Sequence, residues 1–340
     1  MSEYEMSIDS RATFEAENLK GNKAHGTEAV LKRGLLFRST VRKRGRKAFD
    51  LGHPFFYLAP SILFLLFVYA GPFVFNLYIS LTDWTGIGFQ WNFTGFRNYR
   101  ELFGEKRIGQ VLLNNLVYLF FLVFIQNVFA ILLALLLNKE FRLRNFFRSL
   151  LFMPTVIATV AVGFIWSLMF DPVNGPLPIL SRQLNLPFLS EFSWLGDSNR
   201  AIYLVIFVSM WQWTSWNMII YLAGIQGIPK EMYESSDIDG AKGLIKLKAI
   251  TLPLLRPAVT VNLILSTISV LKFFDLPYVL TKGGPGYATE TLAITLYSYT
   301  FLYNKLGYGT AISLVLFTAV MLITILQLSI LKKGEEDLAG

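Results

Sequence analysis

Long apolar runs separated by clusters of charge fill the chain from about residue 54 to residue 331. A hydrocarbon core of about 30 Å takes about 20 helical residues to cross. Six runs reach that length: about Pro54 to Leu81, Val111 to Asn138, Leu150 to Phe170, Ala201 to Ile228, Pro257 to Leu280 and Gly307 to Leu331. Each is too long and too continuous for an amphipathic surface helix. Backbone groups in lipid must pair within their own segment, so spans of this composition are helices. The pattern predicts an all-α membrane protein with six transmembrane helices.

Composition agrees: 54% of the 340 residues are hydrophobic and 16% charged, where ordinary soluble domains carry about a quarter charged residues. Placement of the basic residues sets the orientation. Nineteen Lys and Arg lie just before span one (the eight from Lys32 to Lys47), in the loops after spans two and four, and in the tail. The opposite side holds eight: Arg97, Arg100, Lys106, Arg107, Arg182, Arg200, Lys282 and Lys305. Positive residues favour the cytoplasmic side, so both termini are expected there. The net charge of +8 is then explained by topology, and no nucleic-acid partner is expected. Cysteine is absent and the two histidines, His25 and His53, lie outside the spans. Neither a metal site nor a catalytic set is expected from them.

Residues 1–50 read as a cytoplasmic extension, polar and partly acidic to residue 29, then basic over 30–48 with Leu35, Leu36 and Phe37 interspersed. The apolar run starts too late for a signal peptide, so span one is expected to be a retained anchor. Residues 51–335 read as the transmembrane domain, with a cytoplasmic loop over 229–256.

That loop carries a pattern of its own. Pro229 suits a helix start, Lys230 to Ile238 form a short helical segment, and Met232, Tyr233 and Ser236 can share one side. Gly240 turns the chain. A second segment alternates Leu244, Leu247 and Ala249-Ile250 with Lys242, Lys246 and Lys248. Pro253 and Pro257 are expected to bend the chain into span five. From physics alone, a knob that docks a soluble partner and a helix that rests on the membrane fit equally well.

The spacing Glu234-Ser235-Ser236, three residues, Gly240, nine residues, Ile250-x-Leu252-Pro253 resembles the EAA loop of permease subunits in binding-protein-dependent ABC importers. Ser235 and Ser236 stand where the family pattern has alanine, and serine is small enough to pack as closely. A second stretch, Leu280-Thr-Lys-Gly-Gly-Pro-Gly-Tyr-Ala-Thr-Glu-Thr291 preceded by Phe274-Asp275, resembles the segment after the fifth span in the first permease subunit of sugar importers, the maltose and glycerol-phosphate type. The resemblance covers roughly residues 50 to 335.

It implies a type I importer permease fold in a bacterial or archaeal inner membrane. It also implies a heterodimer with a second permease, two ATPase subunits inside and a solute-binding protein outside. The helix around Glu234 then couples to the ATPases, which hold ATP and Mg. This chain has no phosphate-binding G-x-x-x-x-G-K-[ST] loop, and no cofactor is expected on it.

Polar residues within spans tend to face the bundle interior. Span four carries Trp211-Gln212-Trp213-Thr214-Ser215-Trp216-Asn217. Rings against sugar C–H faces with a few amides and hydroxyls are what a carbohydrate site needs. Trp213, Trp216 and Asn217 are candidates to line a path, with Ser269, Lys272 and Asp275 of span five. Lys272 and Asp275 are also spaced to pair at i,i+3. Span two offers Asn114, Asn115, Gln126 and Asn127, which suit packing better than transport. Gly283, Gly284 and Pro285 suit a turn at the outer surface, with contact to the binding protein or a plug of the outer gate as further uses. The rival class is an ion-coupled secondary transporter using Lys272 and Asp275, since embedded ionisable residues are what such coupling requires.

Overall fold

The computed structural model describes residues 52–185 and 194–339, so the 1–50 extension with its basic run lies outside the described residues. Two compact units divide the chain, residues 1–72 and residues 73–340. The described part of the first is helical from Gly52, and the apolar helix α1, Tyr57–Ile79, runs on from it with most of its side chains exposed.

The second unit is organised by α3, Lys106–Asn138. Three hydrophobic clusters follow one another along it. Ile108 and Val111 pack with Leu102 of α2 (Arg97–Gly104), Leu292 of α11 (Leu292–Leu302) and Ile312 of α12 (Leu306–Ala339). Tyr118 and Leu122 pack with Val162 of α5 (Thr159–Met169), Val205 of α7 (Ala201–Gln226) and Leu276 of α10 (Asp275–Thr281). Ala130, Ala134 and Leu137 pack with Tyr221 of α7 and Leu255 of α9, Leu244–Leu271.

The opposite face of α3 exposes Leu113, Leu116, Phe120, Phe124, Val128, Leu132 and Leu136, spaced three or four residues apart. Its buried face carries Asn114, Asn115, Gln126 and Asn127. Apolar outside and polar inside is the reverse of a helix in water, and it suits a helix whose solvent is lipid.

Four described helices are long and apolar enough to cross a membrane: α1, α3, α9 and the Leu306–Leu331 part of α12. A fifth follows if α4 (Arg144–Val156) and α5 count as one broken span. The run expected to cross over 150–170 is thus not one continuous helix: the two helices meet at 94°. Ile157 and Ala158 are extended, with ψ of 133° and 131°, and unhook the helical ladder. The expected fourth span, α7, has 26 residues but is not among the membrane-length helices, its apolar run interrupted by Ser209, Gln212, Thr214, Ser215 and Asn217. The short helix α6, Pro176–Leu184, follows α5.

Span five also differs from expectation at both ends. It starts at Leu244, inside the loop expected over 229–256, and passes Pro253 and Pro257 without a break. A proline ring clashes with the carbonyl four residues back in a regular helix; the wider π-helical turn Leu247–Thr251 precedes Pro253 and gives that carbonyl room. At the far end the helix stops at Leu271, and α10 begins only at Asp275.

Candidate translocation site

A cavity of about 270 Å³ opens where α3, α5, α7, α9 and α10 meet. Helical spacing explains its walls. From α7, Ser209, Trp213 and Trp216 stand at i, i+4 and i+7; from α9, Asn262, Ser266 and Ser269 repeat that spacing. Trp213, Trp216, Asn217, Ser269, Lys272 and Asp275, singled out from the sequence, all border this one cavity.

The break between α9 and α10 supplies the charged end. Because Lys272 and Asp275 no longer share a helix, the expected i,i+3 ion pair is absent among the described residues, and both side chains stay exposed. Beside them, Phe274 stacks on Tyr278 with centroids 4.9 Å apart.

Two features of the structure around the cavity were not legible from the pattern. Gln212, fully buried, donates through Nε2 to the Ile157 carbonyl at 3.0 Å, capping the oxygen exposed by the α4–α5 bend. Thr155 Oγ1 donates to the Gln212 carbonyl at 2.7 Å and lies as close to Ser215 Oγ. Behind the cavity, Asn127 Oδ1 accepts from Tyr221 at 2.6 Å and from Asn262 Nδ2 at 2.8 Å, joining α3, α7 and α9. Nothing in the spacing pairs residues 94 and 135 positions apart.

The loop 229–256 begins as a helical hairpin. Helix α8, Lys230–Ile238, ends where Gly240 takes φ +75° and Ala241 N donates to the Ser236 carbonyl at 2.9 Å. Ser236 is buried and Tyr233 approaches Thr251 Oγ1 at 3.3 Å, so these two face α9. Met232, expected on that side, is exposed. Lys246 donates to Asp237 at 2.5 Å and closes the hairpin. Glu234 and Ser235 are exposed; Ile250 and Pro253 are half-buried, and Leu252 is exposed. Ile238, Leu244 and Ile245 are left outward-facing and apolar.

The glycine-rich stretch stands apart from the cavity lining. Gly283 is buried at φ +86°, and a Cβ there would come within 3.2 Å of Glu290 Cβ, so only glycine fits. The Gly284–Pro285 peptide is cis.

The family of binding-protein-dependent transport system inner membrane components matches residues 126–333, from mid-α3 through the hairpin and the cavity wall to α12. The chain belongs to that family. A probable ABC transporter permease of Pyrococcus horikoshii is 36% identical over 86% of this permease and 99% of its own length. A multiple sugar-binding transport system permease of Streptococcus mutans is 34% identical over 82% and 95%. A trehalose/maltose transport system permease of Thermococcus litoralis is 33% identical over 70% and 79%.

In fold, this permease resembles a chain of a bacterial ABC transporter that imports the acidic polysaccharide alginate. The TM-score is 0.70 at 21% identity, covering 82% of this permease and 94% of that chain. The permease is thus a multi-pass inner-membrane protein and a non-catalytic component of an ABC importer. Among the described residues no group of three His, Asp or Glu side chains is placed to hold a metal ion.

Proposed function

We propose that this permease forms, with a second permease, the transmembrane path for ATP-driven import of a sugar or related solute. An extracytoplasmic binding protein delivers the solute, and two partner ATPases hold ATP and Mg. The cavity carries this reading. It sets Trp213 and Trp216 beside Asn217, Ser266 and Ser269 in one wall, the aromatic-plus-hydroxyl chemistry that sugars require. Lys272 and Asp275 at its rim add partners for hydroxyls. Relatives named for multiple sugars and for trehalose/maltose support the carbohydrate class. The Gly283-Gly284-Pro285 stretch supports a place as first permease of the maltose and glycerol-phosphate branch.

In this reading six segments cross the membrane: α1, α3, the bent α4–α5 pair, α7, α9 and α12. Both termini are cytoplasmic. Glu234, Ser235 and Ser236 lie on the coupling helix, which Gly240 turns back toward the segment of α9 that carries Ile250, Leu252 and Pro253. The apolar exterior of Ile238, Leu244 and Ile245 meets an ATPase groove. Loop 282–291 lies outside.

The test is affinity co-purification of the chain from its native membrane with partner identification. Recovery of a second permease, an ATPase and a binding protein supports the proposal. Recovery of the chain alone, transporting without ATP, overturns it and turns attention to Lys272 and Asp275 as ion-coupling groups.

A further inference from the structure

Arg107 stands at the start of α3 and Glu290 at the end of the loop before α11, and they form a two-pronged ion pair. Arg107 Nε donates to Oε2 at 2.9 Å and Nη2 to Oε1 at 2.5 Å. The side chains are 12% and 2% exposed. Charges so deep must satisfy each other, since a lone one is costly. Thr295 Oγ1 donates a further bond to Oε1 at 2.9 Å, and the guanidinium lies 4.4 Å above the Tyr287 ring.

The grip continues along α3. Asn114 Nδ2 donates to the carbonyls of Tyr287 at 2.8 Å and Glu290 at 3.0 Å, and Tyr118 donates to that of Thr289 at 3.1 Å. Positions 107, 114 and 118 fall on one face of the helix. The loop is also tied within itself: Thr289 Oγ1 donates to the Gly284 carbonyl at 2.9 Å and sits 2.6 Å from Thr281 Oγ1. Beyond it, Thr291 Oγ1 donates to the Phe273 carbonyl at 2.7 Å, and Phe273 borders the cavity. A stiff loop therefore links α3 to the cavity wall.

We propose that residues 283–291 are a rigid gate element whose position α3 sets through the Arg107–Glu290 pair. The two side chains are positioning residues that hold the cavity wall in place until the binding protein engages. This rests on the transport reading above. Losing one charge leaves the other buried and unpaired, so α3 and the gate part and the cycle runs without its trigger.

The experiment uses the whole complex in proteoliposomes, with a spin label at Lys282→Cys, an exposed position in a chain that has no cysteine of its own. Glu290→Gln is expected to raise ATPase activity without binding protein by about fivefold or more, loosen the label and lower solute uptake. The swap Arg107→Glu with Glu290→Arg is expected to restore all three relative to Arg107→Glu alone. Thr295→Val, which keeps both charges, is expected to act in the same direction more weakly, and serves if Glu290→Gln fails to assemble. Variants whose basal ATPase and label mobility match the parent overturn the gate alone. A parent complex without ATP-driven uptake overturns the transport reading, and the gate with it.

Discussion

Tyr221 donates its phenolic hydrogen to Asn127 Oδ1 at 2.6 Å, and Asn262 donates to the same oxygen from the other side. One carbonyl oxygen thus joins α3, α7 and α9 directly behind the cavity. Tyr221→Phe removes one of two donors and leaves the oxygen satisfied, so it costs little. Asn127→Leu orphans both donors at once. Bonds between membrane helices are worth about 0.6 kcal/mol on average and up to about 1.7 kcal/mol. Asn127→Leu is therefore expected to cost about 1–3 kcal/mol and to lower the Tm of the detergent-purified complex clearly more than Tyr221→Phe does. Equal shifts would show that Asn127 is not the node.

Two glycines set helix distances. A Cβ at Gly163 of α5 would lie 2.6 Å from Val279 Cγ1 on α10, and one at Gly224 of α7 2.8 Å from Leu255 Cδ1 and 2.9 Å from Ala258 Cβ on α9. Close approach through small residues is how membrane helices pack. Gly163→Ala and Gly224→Ala are each expected to cost about 1–3 kcal/mol, read as thermal unfolding. Adding Ala258→Gly to Gly224→Ala returns space and should recover part of that loss. No recovery would place the strain elsewhere.

Most of the long helices were legible because lipid demands long apolar runs, and the turn at Gly240 because glycine and the charge alternation around it stand out against them. The breaks were not. Nothing in Met153-Pro154-Thr155-Val156-Ile157-Ala158 distinguishes a 94° bend from a proline inside a helix, since the carbonyl it frees is capped by distant Gln212. Lys272 and Asp275 looked like an embedded pair only on a continuous helix. Arg107 counted in the sequence as one loop charge, and its partner Glu290 lies 183 residues away. Hydrophobic periodicity reports which face is buried, not which distant residue meets it.

The cavity makes a graded prediction. Trp213 borders it while remaining 36% exposed, so its ring is available to a solute. Losing a ring that packs on a sugar forfeits about 1.5 kcal/mol, close to tenfold in apparent affinity. Trp213→Ala is expected to raise the KM for uptake by about that factor, with ATPase stimulation by the binding protein retained. Ser269→Leu, which fills the cavity, is expected to abolish uptake of the larger solutes first. Normal uptake by both variants would remove the cavity from the path.

On α8, Glu234 is exposed and its replacement disturbs no packing. Glu234→Lys should therefore leave Tm unchanged while cutting ATP-driven uptake by about tenfold, because a buried partner contact with reversed charge costs several kcal/mol. Gly240→Ala forces a side chain to φ +75°, which costs about 1–2 kcal/mol, and should loosen the hairpin without abolishing coupling. A Glu234→Lys protein with unaltered uptake would mean that α8 does not face an ATPase.

The most direct measurement is solute uptake by the purified complex in proteoliposomes, comparing ATP inside the vesicles, no ATP, and an imposed ion gradient without ATP. An importer permease gives uptake only with internal ATP, and that uptake falls with Glu234→Lys. Uptake driven by the ion gradient alone, lost on changing Lys272 or Asp275 and indifferent to Glu234→Lys, would contradict it.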